Sequence, residues 1–569
     1  MKKSRNRWTT ASALIVPAVT MVFGTILGSI PAQANNPNEW PMYSRDYSNT
    51  RYSPLQEINT SNVKGLKVAY AFGLGVLDAQ ESSPLVIGDT LYVTTTFGPK
   101  FIYALDAATG KRKWTQAFDY PDDMTQFTCC GPVNRGVAYA NGKIYVGRLD
   151  GKLSALDADT GREIWTTTVV DYTQGSSLTS PPLIVKDTVV TGFGGGEYGA
   201  RGYISAYDLE TGKALWKTWT VPGEGEPGND SWKGDSWKTG GAAAWLNGAY
   251  DADRNIIYYG TSNPAPWNTH VRGPGSSDYG KFTNLHSVSS IALDGDSGKI
   301  LWTYQGTPHD AWDYDGVNEN LLADLNIGGK TVPVSMKADR NGFFYVNNRE
   351  TGELISAEAF IYQNWAKGID LATGRPIEVP EMRPNLTNRA MNVCPNLVGG
   401  KNWQPMSFNP NTGLVYIPTI NICMDMQDTE VEYNRGSFYL GKEFPARFGP
   451  GGFGGKLLAW DPVKQEAVWS IKQKHGWNGG TMTTAGGLVF QGDAMGQFNA
   501  VNASTGEVLW TTQVGSGVLA GPVTFKVDGK QYVAVTVGRA TTIPAFIGEP
   551  GVAIVSETPE AGMLFVFSL

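Results

Sequence analysis

The chain has 569 residues, and its 46 Lys and Arg against 53 Asp and Glu give a formal net charge of −7. This acidic balance argues against nucleic acid as a partner and leaves a basic protein as the plausible macromolecular one. Gly (69), Pro (32), Trp (18) and Tyr (25) are abundant and only 17% of residues are charged, which is typical of many short strands and turns rather than of helices.

Residues 1–34 have the pattern of a secretory signal peptide. Four basic residues (Lys2, Lys3, Arg5 and Arg7) precede an apolar run over 11–30, and Ala32-Gln33-Ala34 is a small-x-small cleavage motif. An uncleaved membrane anchor is the alternative, which Pro17 and the cleavage motif disfavour. We therefore expect export to the periplasm without stable membrane insertion, and a mature chain of residues 35–569 with a charge of about −11.

One phrase recurs along the mature chain, and each copy predicts a strand, a turn and a strand that ends in Trp. The Thr-Gly pair supplies the turn, with a glycine where a positive φ is needed. A further strand pair precedes many copies, so each unit has four strands, which is typical of propeller blades. Six clear copies are ALDAATGKRKW (104–114), ALDADTGREIW (155–165), AYDLETGKALW (206–216), ALDGDSGKILW (292–302), AWDPVKQEAVW (459–469) and AVNASTGEVLW (500–510).

Two weaker copies, at 345–355 and 408–416, raise the number of expected blades to eight. The fold prediction is therefore all-β: a single eight-bladed propeller over 35–569, with no separate helical domain. The repeated tryptophans are expected to pack between neighbouring blades, with each indole N–H bonded to a carbonyl. The last segment, 563–569, is expected to pair with the region 52–71 and so close the ring.

Four cysteines in an exported chain favour disulfides over a zinc site, and the chain has no C-x-x-C-H motif for a covalent haem. Cys394 and Cys423 could close an ordinary loop. Cys129 and Cys130 are adjacent, so a bond between them would form a tight ring, because adjacent Cα atoms lie about 3.8 Å apart. Separate partners or free thiols are the alternative for this pair.

Three loops present polar groups among small or rigid residues. Glu197 lies within the glycine-rich stretch 191–202, Trp245 ends the stretch 237–245 directly after small residues, and Asn263 is flanked by Pro264 and Pro266. Taken alone, the stretch 191–202 is explained by a glycine-rich turn. No helix pattern follows its glycines, so it is not a dinucleotide fingerprint.

The stretch TPHDAWDYDGVNE (307–319) is the strongest candidate for chemistry. It places Asp310, Asp313 and Asp315 close together with a histidine. Either a strand or a tight loop would let Asp313 and Asp315 reach one point. Two carboxylates at one point repel unless a cation lies between them or a proton is shared. The alternative is a solvated acidic turn.

Together with CCGPVNRG, GGGEYGARG, NPAPWN, DRNGFFYVNNRETG and the CP…NICMD pair, these motifs resemble the pyrroloquinoline quinone (PQQ) dependent alcohol dehydrogenases, the methanol/ethanol dehydrogenase family. The resemblance covers essentially the whole mature chain in the same motif order. It implies an eight-bladed propeller that holds PQQ and a metal ion near its axis. The implied activity is oxidation of primary alcohols, with electrons passed to a soluble cytochrome c.

The resemblance also assigns roles to individual residues. It implies disulfides between Cys129 and Cys130, against one face of PQQ, and between Cys394 and Cys423. Asp313 is implied as the general base and Arg340 as the group beside the reactive quinone oxygen. The implied cofactor contacts are Glu81, Arg135, Thr179, Gly196, Trp245, Asn402 and Trp477, and the implied metal ligands are Glu197, Asn263, Asp313 and Asp315.

Asp315 bears on the identity of the metal. In the family, a second Asp two places after the catalytic one is typical of lanthanide enzymes, whereas calcium enzymes have a small uncharged residue there. A trivalent ion binds one more anionic oxygen among its hard ligands more favourably than a divalent ion does. A lanthanide is therefore expected, with calcium as the alternative.

Two segments depart from the family pattern: the triplet Gly194-Gly195-Gly196, and residues 537–546 in place of a glycine- and tryptophan-rich segment. The second borders the substrate entrance in relatives, so the preferred alcohol could differ from methanol. Two other functions stay open: a calcium-dependent PQQ dehydrogenase of a sugar or polyol, and a non-enzymatic envelope scaffold. The sequence also leaves open whether the protein is a homodimer.

Overall fold

The computed structural model describes residues 36–569, so the expected signal peptide lies outside the described residues. Within that range the chain forms 39 strands, numbered here along the chain, and only two α-helices. The all-β prediction is confirmed. None of the helices in this range has the length and apolar character needed to cross a membrane.

Most strands belong to eight sheets, each built on four antiparallel strands and named sheets 1 to 8 along the chain; a ninth four-stranded sheet is an insertion. The first two strands are β1 (Tyr52–Ser53) and β2 (Lys67–Gly73), which join sheets formed much later. Sheets 1 to 4 then follow as simple meanders: β3 (Leu85–Ile87), β4 (Thr90–Thr94), β5 (Phe101–Asp106), β6 (Arg112–Ala117); β7 (Ala138–Ala140), β8 (Lys143–Gly147), β9 (Lys152–Asp157), β10 (Glu163–Thr168); β11 (Leu183–Val185), β12 (Thr188–Thr191), β13 (Tyr203–Asp208), β14 (Ala214–Trp219); and β15 (Ala249–Asp251), β16 (Ile256–Gly260), β17 (Ser289–Asp294), β18 (Ile300–Gln305).

Sheet 5 continues the pattern with β19 (Leu321–Ile327), β20 (Lys330–Ala338), β21 (Phe343–Asn348) and β22 (Leu354–Ala359). Two small sheets are then inserted: β23 (Ala366–Asp370) with β24 (Arg375–Glu378), and β25 (Ala390–Val393) with β28 (Ile422–Asp428), β29 (Lys442–Glu443) and β30 (Ala446–Phe448). Sheets 6 to 8 use β26 (Ser407–Asn409), β27 (Leu414–Ile420), β31 (Gly455–Asp461), β32 (Glu466–Gln473); β33 (Thr481–Thr484), β34 (Leu488–Gly492), β35 (Gln497–Asn502), β36 (Val508–Gln513); and β37 (Val523–Val527), β38 (Lys530–Val537), β39 (Met563–Ser568) with β2.

The sheets pack face to face and close into a ring. Sheets 5 and 6 share an apolar cluster that includes Met336 and Ile417. The last sheet shares a cluster with the first, in which Val533 of β38 is found together with Leu91 and Ile102 of β4 and β5. Inner strands are buried on both faces, whereas fourth strands such as β6 and β10 alternate exposed and half-buried residues. This pattern places the fourth strands on the outside of the ring.

The repeated phrase explains how neighbouring sheets fit together. The indole N–H of Trp114 donates to the carbonyl of Ala158 at 2.9 Å, and its ring lies on Gly161 in the turn of the next phrase. Gly161 has φ +73°, and a Cβ there would lie 2.6 Å from the indole. Trp165, Trp302 and Trp469 likewise donate to a carbonyl of the following sheet. Trp216 packs on Gly298 in the same way, but its N–H has no partner.

The expected pairing of the chain ends is confirmed only for part of the segment. β2 pairs antiparallel with β39, so the start and end of the chain share sheet 8. Tyr52 and Ser53 instead pair in parallel with Thr483 and Thr484, so β1 extends sheet 7. Residues 537–546 run into α1 (Pro544–Ile547) and α2 (Glu549–Glu557), helices that were not predicted.

Candidate functional site

A cavity of about 280 Å³ collects most of the predicted site residues from sequence-distant loops. Gly194 and Gly195 also line it, whereas Gly196 and Asn263 are buried and lie against each other behind it, since a Cβ on Gly196 would come 2.9 Å from Asn263 Oδ1. The predicted residues that line the cavity are Glu81, Cys129, Cys130, Arg135, Thr179, Glu197, Trp245, Asp313, Asp315, Arg340, Asn402 and Trp477.

The stretch 307–319 is a buried loop rather than a strand or a solvated turn. Asp313 has φ +64°, which turns the chain sharply between the two candidate carboxylates. Asp310 accepts the backbone N–H groups of Trp312 and Tyr314, both at 3.1 Å, so its role is to hold the loop. His309 is fully buried and bonds Asn284 and the Pro274 carbonyl, which makes it structural as well.

Asp315 is held by three nitrogen donors. Its carboxylate accepts the backbone N–H of Asn263 at 2.6 Å and the indole N–H of Trp245 at 3.0 Å. The guanidinium of Arg340 lies 2.9 Å from Asp315 Oδ2. Each carboxylate oxygen can accept more than one bond, so these donors leave Asp315 with lone pairs to spare.

Asp313 and Glu197 are, by contrast, short of partners. Asp313 Oδ1 is buried with no hydrogen-bond partner, and Oδ2 lies 3.8 Å from Arg340. Loss of hydration, followed by the charge of Asp315, raises the pKa of Asp313 well above its ordinary value. The same two causes raise the pKa of Glu197 to about 7. Arg340 lowers both pKa values but does not offset burial and the charge of Asp315, so the neutral forms are favoured.

The donor set fits a hard cation. Among the residues that the structure describes, Arg340 is the cationic side chain that contacts Asp313 and Asp315, and one positive charge does not balance three carboxylates with Glu197. Asn263 Oδ1 is also buried without a partner. Carboxylate and amide oxygens are the ligands that hard cations prefer. Within residues 36–569, no three His, Cys, Asp or Glu side chains lie close enough together to form a metal-binding group without rearrangement.

A second part of the cavity has flat walls and a fixed positive charge. Cys129 and Cys130 form a disulfide with a Cα separation of 3.8 Å, as expected, and Cys394 pairs with Cys423. Arg135 pairs with Glu81 at 2.8 Å and donates to Thr179 at 2.9 Å. These features fit a planar polycarboxylate, because the disulfide and the indole of Trp245 are flat surfaces and the guanidinium of Arg135 is a matched anion partner.

Two predicted cofactor contacts, Asn402 and Trp477, each keep an N–H group that has no partner among the described residues. Asn402 donates to the Val398 carbonyl and accepts the Trp403 N–H, both at 2.8 Å, which leaves one amide N–H for a ligand. Trp477 borders the cavity with an unpartnered indole N–H. Both arrangements leave donors for acceptor groups of a bound molecule.

Sequence reasoning missed the aromatic and aliphatic side chains that complete the cavity. Trp403 supports Arg135, whose guanidinium lies 4.8 Å from the indole centre. Phe438, Leu440 and Phe444 come from the segment 429–444, which contains no copy of the repeated phrase and none of the family motifs. The only local signal was the concentration of aromatic residues in a loop between strands.

Comparison with known proteins decides the family. The profile described as "PQQ: Glucose/ethanol/alcohol dehydrogenase, beta-propeller domain" matches residues 40–359 and 456–533. A lanthanide-dependent methanol dehydrogenase of Methylacidiphilum fumariolicum is 40% identical, over 96% of this chain and 96% of that protein. The chain belongs to the PQQ-dependent alcohol dehydrogenases.

Other members of the PQQ-dependent alcohol dehydrogenase family agree over nearly the full length. Quinoprotein alcohol dehydrogenase PedH of Pseudomonas putida is 41% identical over 91% of this chain and 89% of its own. The solved structure of a europium-containing methanol dehydrogenase superimposes with a TM-score of 0.89 at 39% identity, covering 94% of this chain and 99% of that one. The predictions of an oxidoreductase and of this family are confirmed.

Proposed function

We propose that this protein is a periplasmic PQQ-dependent dehydrogenase that oxidises primary alcohols to aldehydes with a bound lanthanide ion and passes the electrons to an external cytochrome c. The observation that carries the proposal is the buried cluster of Glu197, Asp313 and Asp315 around Arg340, next to the flat walls of one cavity. The eight sheets are proposed to be the eight blades of the propeller, in one domain over 35–569.

Each side chain has a task in this proposal. PQQ, when bound, would supply the quinone that accepts a hydride and, with it, the two electrons of the alcohol oxidation. Asp313 takes the hydroxyl proton of the alcohol at Oδ1, the oxygen that has no partner within the protein. Arg340 holds Asp313 and Asp315 in position and presents a positive charge at the reacting end of the cavity.

The residues that would hold the cofactor lie on several sides of the cavity. The disulfide of Cys129 and Cys130 and the indole of Trp245 would hold its two faces. Arg135, Thr179, Asn402 and Trp477 would donate to its carboxylates and carbonyls, while Glu81 fixes Arg135, and Gly194 and Gly195 line the cavity without side chains. A preorganised set of donors stabilises developing charge without having to reorient.

Glu197, Asn263, Asp313 and Asp315 would hold the cation, which would supply Lewis acidity and keep Asp313 ionised. The proposal of a lanthanide is supported by Asp315, which adds a third carboxylate to the cluster. It is further supported by the names of the lanthanide-dependent and europium-containing relatives. Calcium is the alternative.

Reconstitution tests the function and the metal together. The chelated protein is loaded with PQQ and either La³⁺ or Ca²⁺, and oxidation of a primary alcohol is followed with a cytochrome c or a dye as acceptor. We expect La³⁺ to support turnover well above Ca²⁺, and Asp315→Asn to remove most of that difference. Equal activity with the two ions would contradict the lanthanide proposal, and no PQQ-dependent oxidation would contradict the function.

The proposed location has its own test. A signal peptide cleaved after Ala34 leaves Asn35 at the amino terminus of the exported protein. N-terminal sequencing of protein purified from the periplasmic fraction should begin at Asn35. A mature protein that retains residues 1–34 would support the membrane anchor instead.

A further inference from the structure

The cavity has one polar half and one apolar half. The polar half contains the acidic cluster and Arg135. The other half is a wall whose side chains, termed here the apolar wall, share hydrocarbon surface and no charge: Trp267, Leu397, Phe438, Leu440, Phe444 and Phe546. The apolar wall and Asp313 line the same cavity.

Backbone hydrogen bonds attach the apolar wall directly to the reacting end of the cavity. The N–H of Tyr439 donates to the carbonyl of Glu197 at 2.7 Å, and the carbonyl of Leu440 accepts the N–H of Asn268 at 3.0 Å. The carbonyl of Leu397 faces the guanidinium of Arg340 at 3.3 Å. The wall is therefore next to the residues that would hold the reacting hydroxyl.

The wall is rigidly packed where it is deepest and more open at its rim. The rings of Trp267 and Phe444 lie 5.6 Å apart, and Trp267 is buried. Phe438 stacks on Tyr198 at 4.7 Å yet has 54% of its surface exposed. Phe546 is anchored through its carbonyl, which accepts the side-chain N–H of Asn396 at 3.3 Å.

The cavity also continues outward. A second, more open depression of about 420 Å³ shares Thr542, Ala545 and Phe546 with it, together with residues around Cys130. Most of the residues in this depression are threonines, prolines and other small side chains with no charge. A substrate tail too long for the inner wall therefore has an uncharged path to follow.

These features bear on the substrate class that the proposed function leaves open. We infer, resting on that proposed function, that the substrate is a primary alcohol with an apolar tail, and that Phe438, Leu440, Phe444 and Phe546 determine this specificity. Each buried square ångström of tail contributes about 25 cal/mol. A polyol would leave hydroxyls without partners against this wall, at a cost of about 1–3 kcal/mol each. Methanol has no tail to bury.

The test measures kcat/KM of the enzyme reconstituted with PQQ and lanthanide for benzyl alcohol, 1-hexanol, methanol and glycerol. We expect the first two to exceed methanol by at least about tenfold, since 1.4 kcal/mol is tenfold, and glycerol to be the poorest. Methanol or glycerol at equal or higher kcat/KM would overturn the tail specificity alone. No oxidation of any of the four would overturn the proposed function.

Phe444→Ser, compared with Phe448→Ser, assigns the specificity to the wall. Phe448 is the same residue type four positions on, 36% exposed and outside the cavity lining. Phe444→Ser should lower the ratio of kcat/KM for benzyl alcohol to kcat/KM for methanol about tenfold, and Phe448→Ser should leave this ratio unchanged. An unchanged benzyl-to-methanol ratio in Phe444→Ser overturns the assignment.

Inhibition provides a readout that does not depend on oxidation of the probe. 2-Phenyl-2-propanol has an apolar tail but no hydrogen on its carbinol carbon, so it cannot be oxidised. It should inhibit methanol oxidation competitively, and Phe444→Ser should weaken that inhibition about tenfold. Equal inhibition by tert-butanol, which lacks the aromatic tail, would overturn the inference.

Discussion

The indole N–H of Trp245 donates to Asp315 Oδ2 at 3.0 Å, across a sequence separation of 70 residues. This bond joins a flat wall of the proposed cofactor site to a carboxylate of the proposed cation site. The two sites therefore share one hydrogen bond, and a substitution in the proposed cofactor site should change cation affinity in the proposed cation site. Groups that orient a metal ligand typically influence metal affinity by 10–100-fold.

Trp245→Phe removes this donor while retaining an aromatic face. We expect lanthanide affinity to fall about 10–100-fold, because Asp315 loses one of the groups that orient it, with a smaller change in PQQ affinity. Titration of the chelated protein with La³⁺ measures the effect. Trp477→Phe is the matched control, since the indole N–H of Trp477 has no partner in the protein. Equal loss in both variants would contradict the role of the bond.

Asp313→Asn should lower kcat about 10²–10⁴-fold while PQQ stays bound, because an amide cannot accept the hydroxyl proton. Turnover and bound-quinone absorbance are measured on the same preparation. Asp310→Asn is the comparison. The carboxylate of Asp310 accepts two backbone N–H groups, so its replacement should lower the melting temperature but change kcat much less than Asp313→Asn does. Normal turnover in Asp313→Asn would remove Asp313 from the role of base.

The pH dependence of stability should report on Glu81 in protein free of cofactor and cation. Burial raises the pKa of Glu81 from its ordinary 4.5 to about 7 even though Arg135 lowers it. The folded state thus binds more protons than the unfolded state between these values, and its stability falls as pH rises from 4.5 through 7. Glu197 acts in the same direction.

Glu81→Gln should therefore reduce the loss of unfolding free energy between pH 5 and pH 8 without abolishing it. Urea denaturation at a series of pH values provides the measurement. Glu57→Gln is a control, because Glu57 is a surface residue whose pKa is lowered rather than raised, with Lys526 donating to its carboxylate. A pH profile identical to the parent protein would show that Glu81 titrates normally.

Gly161→Ala should destabilise the fold more than Gly142→Ala. Both glycines have φ near +72°, so both substitutions carry the same backbone strain. Only at Gly161 would the new Cβ collide with the Trp114 ring, whereas position 142 has no atom within 4 Å. Overpacking costs about 1–3 kcal/mol, which is the expected difference in unfolding free energy. Equal destabilisation would show that the ring can move aside.

Local chemistry allowed much of the fold to be predicted. The Thr-Gly turns and terminal tryptophans identified the strand pairs. A turn that needs a positive φ and a strand that ends in a large aromatic ring can both be recognised from a few neighbouring residues. The adjacency of Cys129 and Cys130 likewise fixed their Cα separation before any fold was known. The motifs that resemble the family then assigned most of the cavity-lining residues to one predicted site.

Long-range packing determined the remainder. Nothing near Tyr52 indicates a parallel pairing with Thr483, and nothing near Asp310 separates its structural role from that of Asp313. Phe438 and Phe444 reach the cavity only because the segment 429–444 folds back onto Glu197. The sequence by itself determined an all-β chain of repeated strands and indicated its candidate site residues. The tertiary structure decided which carboxylates lack partners and which side chains cover them, since burial and partner choice depend on residues that are distant in the chain.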